Sequence, residues 1–224
     1  MYFYIALGDS ISTDDYPGEG RGAASLLFRN QDHLYPEFKG KDLHTLYPGI
    51  QFLALAQDGA TSLDVLRDQM DRLPETFSKP VLLTLTVGGN DILANETKPE
   101  EITDRIRAIL KKLQKKHPNG KILIGTIYDP SDGTGELSDL EVPVAPMIRT
   151  LAETNAMIRT IGRSPEIRVV DIHSHFLGHA SRCRDPQNPH YHPEDPSAWM
   201  MMTIEPNARG ADEIRRLFWQ AVQE

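Results

Sequence analysis

Apolar residues concentrate in short runs, the first of them unbroken, separated by longer stretches of three-to-four-residue periodicity. Tyr2–Leu7, Ile50–Ala56, Val81–Val87, Lys121–Ile127 and Ile167–Ile172 are the runs, each of the length and composition expected for a strand covered on both faces. Between them Leu63, Leu66, Met70 and Leu73 recur at helical spacing, with Thr61 or Ser62 as the cap. Ile102, Ile106, Ile109, Leu110 and Leu113 form a second helical face, stopped by His117-Pro118-Asn119-Gly120. Further helices are expected over about 22–29, 144–161 and the C-terminus, where Ile214, Leu217, Phe218 and Val222 share a side. Residues 128–143 and 173–203 read as loops, the second rich in His and Pro, with His173 and His175 continuing the alternation of the fifth strand.

Strands that alternate with helices predict an α/β domain with a parallel sheet between two helical layers. No linker or internal repeat interrupts residues 1–224, which read as one domain. In such sheets ligands bind beyond the carboxyl ends of the strands, so the residues after each strand matter most.

Composition narrows the function classes. The 224 residues carry a net charge of −8, which opposes sequence-independent nucleic-acid binding. Hydrophobic residues at 39% and charged ones at 25% suit a folded core. The single cysteine, Cys183, excludes an intramolecular disulfide framework and a cysteine zinc ribbon. No apolar run nears the ~20 residues of a membrane span, and Tyr2–Leu7 lacks the basic flank of a signal peptide, so the expected location is the cytoplasm. No cofactor motif is present. A metal site among the His and Asp residues between Asp171 and Asp195 is one reading of their ligand types, although their spacing matches no closed zinc pattern.

The strand ends carry chemistry. Gly8-Asp9-Ser10 follows the first strand, Gln57-Asp58-Gly59-Ala60-Thr61 the second and Gly88-Gly89-Asn90-Asp91 the third. With the first strand central, a hydroxyl, a glycine N–H and a carboxamide converge, which is the inventory of acyl transfer: a nucleophile and donors for the oxyanion. Asp9 and Asp91 are expected to stabilise their turns, and Asp14-Asp15 to shape the pocket or face solvent.

These blocks resemble the SGNH (GDSL-type) hydrolase family, as do Pro206-Asn207 and Gly210 before the last helix. The resemblance implies a three-layer, flavodoxin-like fold with five parallel strands in the order 2-1-3-4-5. It implies a serine hydrolase of carboxylic esters, an esterase or deacylase, with Ser10 as nucleophile and an oxyanion hole from the Ser10 and Gly59 N–H groups and the Asn90 NH₂. Family substrates include esters, thioesters, acetylated sugars and lysophospholipids, so the expected partner is a small-molecule ester.

The closing block departs from that pattern. Where the family has Asp, two residues and His before Pro-Asn, this chain has Met202 and Glu205. Either Glu205 is itself the base, weaker than His unless burial raises its pKa, or a loop imidazole is the base and Glu205 orients it. Among His173, His175, His179, His190 and His192 the favoured one is His179; His192-Pro193 mimics the family's dipeptide without the preceding Asp. Glu205 also suits a plain helix-start role, and a non-catalytic, ligand-binding member of the fold is the alternative to an enzyme.

Overall fold

The computed structural model describes residues 1–74, 80–94, 97–135, 137, 145–161 and 166–224. Its sheet has five parallel strands: β1 Phe3–Gly8, β2 Gln51–Ala54, β3 Val81–Thr86, β4 Lys121–Gly125 and β5 Ile167–Val170, in the order β2-β1-β3-β4-β5. This is the three-layer α/β arrangement and strand order expected from the resemblance. Alternating side chains of each strand feed two cores. Ile5, Leu7, Leu83, Leu85, Ile122 and Ile124 lie on one face; Tyr4, Ala6, Leu82 and Leu123 lie on the other.

The first core is closed by α5 (Pro99–Lys116), α6 (Ala145–Ile161) and, after the short α3 (Ser62–Asp64), by Val65, Met70 and Leu73; the second by α1 (Ala23–Phe28) and α8 (Ala208–Gln223). The stripe on α5 buries Ile102, Ile106, Ile109, Leu110 and Leu113, as its periodicity requires. Pro99 opens that helix, Glu100 and Glu101 sit at its positive end, and Lys115 and Lys116 at its negative end. Thr61 caps α3 with a reciprocal bond from Asp64. Instead of running on as ordinary α-helix, the chain then widens into a π turn over Val65–Gln69.

Several elements differ from the sequence expectation. The fifth strand stops at Val170, and Asp171 caps a short helix, α7 (Ile172–Phe176), by accepting the Ser174 N–H. His173 and His175 therefore lie on a helical turn and not on a strand: the Asp171 cap captures the chain first. A short helix α2 (Leu43–Leu46) precedes β2, and α4 (Gly89–Leu93) turns the third strand's exit directly into helix. The long His-rich segment ends in a small antiparallel hairpin, β6 (Met200–Met201) against β7 (Glu205–Pro206). Among the described residues no helix is long and apolar enough to cross a membrane.

Candidate active site

The register brings the strand exits together. Gly8 pairs with Thr86, and on the other side the Gln57 N–H donates to Gly8 O at 3.0 Å. The turns after β1, β2 and β3 therefore emerge side by side. Gly8 has φ +125°, and a Cβ there would lie 1.8 Å from Thr86 O, so no other residue fits between the strands. Asp9 caps the short 3₁₀ turn Ser10–Ser12, accepting the Ile11 N–H at 3.2 Å and the Thr86 hydroxyl at 2.9 Å. That turn sets Ser10 at the floor of a cleft of roughly 800 Å³, open mouth included, which Asn90 and Glu205 also line.

Asn90 stands on the first turn of α4 and donates through Nδ2 to Ala60 O at 3.0 Å. Its amide has a second N–H. Asp91 ties the same two turns together from beneath: it accepts the Ser62 N–H at 2.7 Å and the Ser62 hydroxyl at 2.6 Å, and pairs with Arg105 at 3.2 Å. Gly59 lies in the turn so fixed, exposed, with φ +72°; it does not line the cleft. Among the described residues no backbone carbonyl takes the Ser10 or Gly59 N–H.

Glu205 enters from the opposite rim. It is buried, with 8% of its surface exposed, because β7 pairs with β6 and the Tyr128 hydroxyl holds the preceding carbonyl, Ile204 O. Its Oε2 has no hydrogen-bond partner among the described residues. Burial pushes its pKa above the ordinary carboxylate value; the nearby Ser10 hydroxyl opposes this, while the charges of Asp58 and Asp15 add to it. Asp9, fully buried nearby, is raised to about 7, first by desolvation, against the Thr86 and Ile11 hydrogen bonds. Two carboxyls thus flank Ser10, and both lean toward accepting a proton.

The histidines are elsewhere. His179 is stacked between Trp199, 3.6 Å away at 3°, and His192, 4.7 Å away at 5°. Its Nδ1 lies 3.2 Å from Ser197 O, and it does not line the cleft. His175 bonds Glu213 at 2.9 Å, and neither it nor His173, His190 or His192 borders the cleft. The structure therefore brings Ser10, Asn90 and Glu205 together and leaves His179 apart. Met202, where the family's orienting Asp stands, is 70% exposed. Asp14 is spent on its own loop, accepting from Gly20 N, Gly22 N and Ser25 Oγ. Among the described residues no three His, Cys, Asp or Glu side chains group as a metal shell would need.

Residues 6–210 match the model of the GDSL-like lipase/acylhydrolase family. The chain belongs to that family. It is thereby an ester hydrolase in the general sense. Solved structures agree on the fold. A lipolytic G-D-S-L family protein from Veillonella parvula is 16% identical with a TM-score of 0.70, all of both chains being covered. An acetylxylan esterase from Geobacillus stearothermophilus is 17% identical at 0.64, covering 100% of this chain and 94% of that one. A phospholipase A1 from Streptomyces albidoflavus is 19% identical at 0.58, covering 100% and 99%. Comparison with curated protein sequences gives no significant match.

Two further residues support the site without being among those expected from the sequence. Gln69 and Asn155 each grip one strand-exit residue by its backbone, Gly8 and Ile127 respectively, through both ends of an amide. Gln69 sits in the π turn and is fully buried. A polar residue inside an apolar helical stripe is the one pattern that points to such a clamp.

Proposed function

We propose that this family member hydrolyses carboxylic esters through an acyl-enzyme on Ser10, with Glu205 in place of the usual imidazole as general base. The observation that carries the reading is the Glu205 carboxyl, buried, with an unpartnered Oε2, lining the same cleft as Ser10.

As Ser10 Oγ attacks the ester carbonyl, its proton passes to Glu205. The carbonyl oxygen becomes an oxyanion, received by the Ser10 N–H and the second N–H of Asn90, with Gly59 outside the cleft lining. Collapse of this intermediate breaks the C–O bond to the alcohol, which takes the proton back from Glu205. Water then attacks the acyl-enzyme by the same route in reverse, giving the carboxylic acid and free Ser10. Desolvation is what makes a carboxylate adequate here. Glu is the weaker base in water by about two pKa units, and burial together with Asp58 and Asp15 recovers part of that deficit.

The test is turnover of short-chain p-nitrophenyl esters by wild type, Ser10→Ala, Asn90→Ala and Glu205→Gln. Expected are losses of at least about 10³-fold for Ser10→Ala, about 10²–10³ for Asn90→Ala and 10²–10⁴ for Glu205→Gln. Wild-type turnover equal to that of Ser10→Ala, with no covalent labelling of Ser10 by an organophosphonate, would leave a ligand-binding member of the fold.

A further inference from the structure

The cleft is polar at one end only. Its ionisable carboxyls, Asp9 and Glu205, are both beside Ser10. The remaining wall is built from Ile92 on α4, Ile127 after β4, Met147, Ile148 and Leu151 on α6, and Ile172 at the start of α7. The hydroxyls that also border it are already engaged. Thr86 donates to Asp9 at 2.9 Å, Thr126 lies 3.0 Å from Asp171 Oδ1 and takes the His173 N–H at 2.9 Å, and Tyr128 donates to Ile204 O. A sugar hydroxyl entering this space would give up water for little in return, whereas hydrocarbon would gain by burial. The wall is also held in place. The Asn155 amide fixes Ile127 through its N–H at 2.8 Å and its carbonyl at 2.7 Å, and α6 packs into the first core through Met147, Leu151 and Ile158. A preformed apolar slot spends little binding energy on ordering.

We propose that this slot is an acyl-chain site: it takes an unbranched acyl group of more than four carbons in preference to acetyl, with the alcohol left at the mouth. The inference rests on the hydrolytic role of Ser10 proposed above, and its test separates the two. Turnover of ethyl acetate, butyrate, hexanoate and octanoate is compared with that of octyl acetate, for wild type and Ile148→Trp. The half-buried position of Ile148 spares the fold when the larger ring is introduced. Expected is a rise in kcat/KM of about fourfold per added methylene, octyl acetate far below ethyl octanoate, and an octanoate-to-acetate ratio lowered at least tenfold by Ile148→Trp. Acetate turned over as well as octanoate, octyl acetate preferred, or an unchanged ratio in the variant overturns the proposal. Binding is read separately in Ser10→Ala by thermal shift with ethyl octanoate and ethyl acetate. Stabilisation by the octanoate alone upholds the slot even where wild type hydrolyses nothing, and equal effects of the two refute it.

Discussion

Gln69 grips Gly8 at both ends of one residue: its Oε1 accepts the Gly8 N–H at 2.8 Å, and its Nε2 donates to Gly8 O at 2.7 Å. The two residues are 61 positions apart and the amide is fully buried. Gln69 closes the π turn that begins at buried Val65 and precedes buried Met70, on the side of the helix that faces the core. The clamp fixes the residue two before Ser10, so it positions the proposed nucleophile from outside the cleft lining.

Gln69→Leu keeps the volume and leaves two buried peptide groups without this partner. A loss of about 2–4 kcal/mol is expected in urea unfolding. Because the turn of the proposed nucleophile is what loosens, kcat should fall more than about tenfold while KM stays within about threefold. Gln69→Glu retains the acceptor, so it should fall between wild type and Gln69→Leu in stability. A KM effect as large as the kcat effect would show that the clamp serves binding instead.

The general base makes a separate prediction in pH. With Glu205 as base, kcat/KM should rise as the carboxylate ionises, along an acid limb lying above the ordinary Glu value because burial raises it. Glu205→His should move that limb toward about 6.5, the ordinary imidazole value. Glu205→Gln should abolish the limb along with most activity. If the limb stays in place in Glu205→His, another group is the base.

The sheet was legible because strands buried on both faces must be continuous apolar runs, and Leu82-Leu83, split between the two cores, shows why neither face could be polar. Ser10, Gly59 and Asn90 were legible as strand-exit residues in parallel register, and only Gly59 proves to stand outside the cleft lining. The proposed base was harder. Loop imidazoles are chemically apt, but whether a ring reaches Ser10 depends on where a loop packs, and the flat stack on Trp199 holds His179 within its own loop. The position of Glu205 depends on a hairpin whose two-residue strands leave almost no periodicity to read. The Gln69 clamp shows in the sequence only as one amide among apolar positions at helical spacing.

Asp9 predicts an unusual dependence of stability on pH. Its native pKa is about 7, whereas an unfolded Asp titrates near 3.9. Between those values the native state holds a proton that the unfolded chain has released, so stability is retained below about 4 and lost as pH rises toward 7. The full deficit is as much as about 4 kcal/mol. Asp9→Asn keeps an oxygen to accept from Ile11 N and Thr86 Oγ1 and cannot ionise. Its stability relative to wild type should therefore climb by a few kcal/mol between pH 4.5 and pH 8, measured as urea midpoints. A difference independent of pH would mean that Asp9 titrates normally.

The hairpin that delivers Glu205 carries backbone strain. Met202 at φ +47° and Thr203 at φ +69° occupy the left-handed region in succession, a conformation that suits Asn and Gly and costs other residues about 1–2 kcal/mol each. Met202 is 70% exposed, so little packing is lost when it is replaced. Met202→Asn should raise stability by about 0.5–1 kcal/mol, read as a higher melting temperature, and leave the pairing of Met201 with Glu205 intact. Because that pairing places the carboxylate, activity should hold or rise. Met202→Asp should add nothing to a Glu205→His variant: the side chain at 202 is exposed and does not line the cleft, so a carboxylate there stands apart from the imidazole at 205. Recovery of activity in the double variant would mean that the hairpin turns inward once the family's own pair is restored.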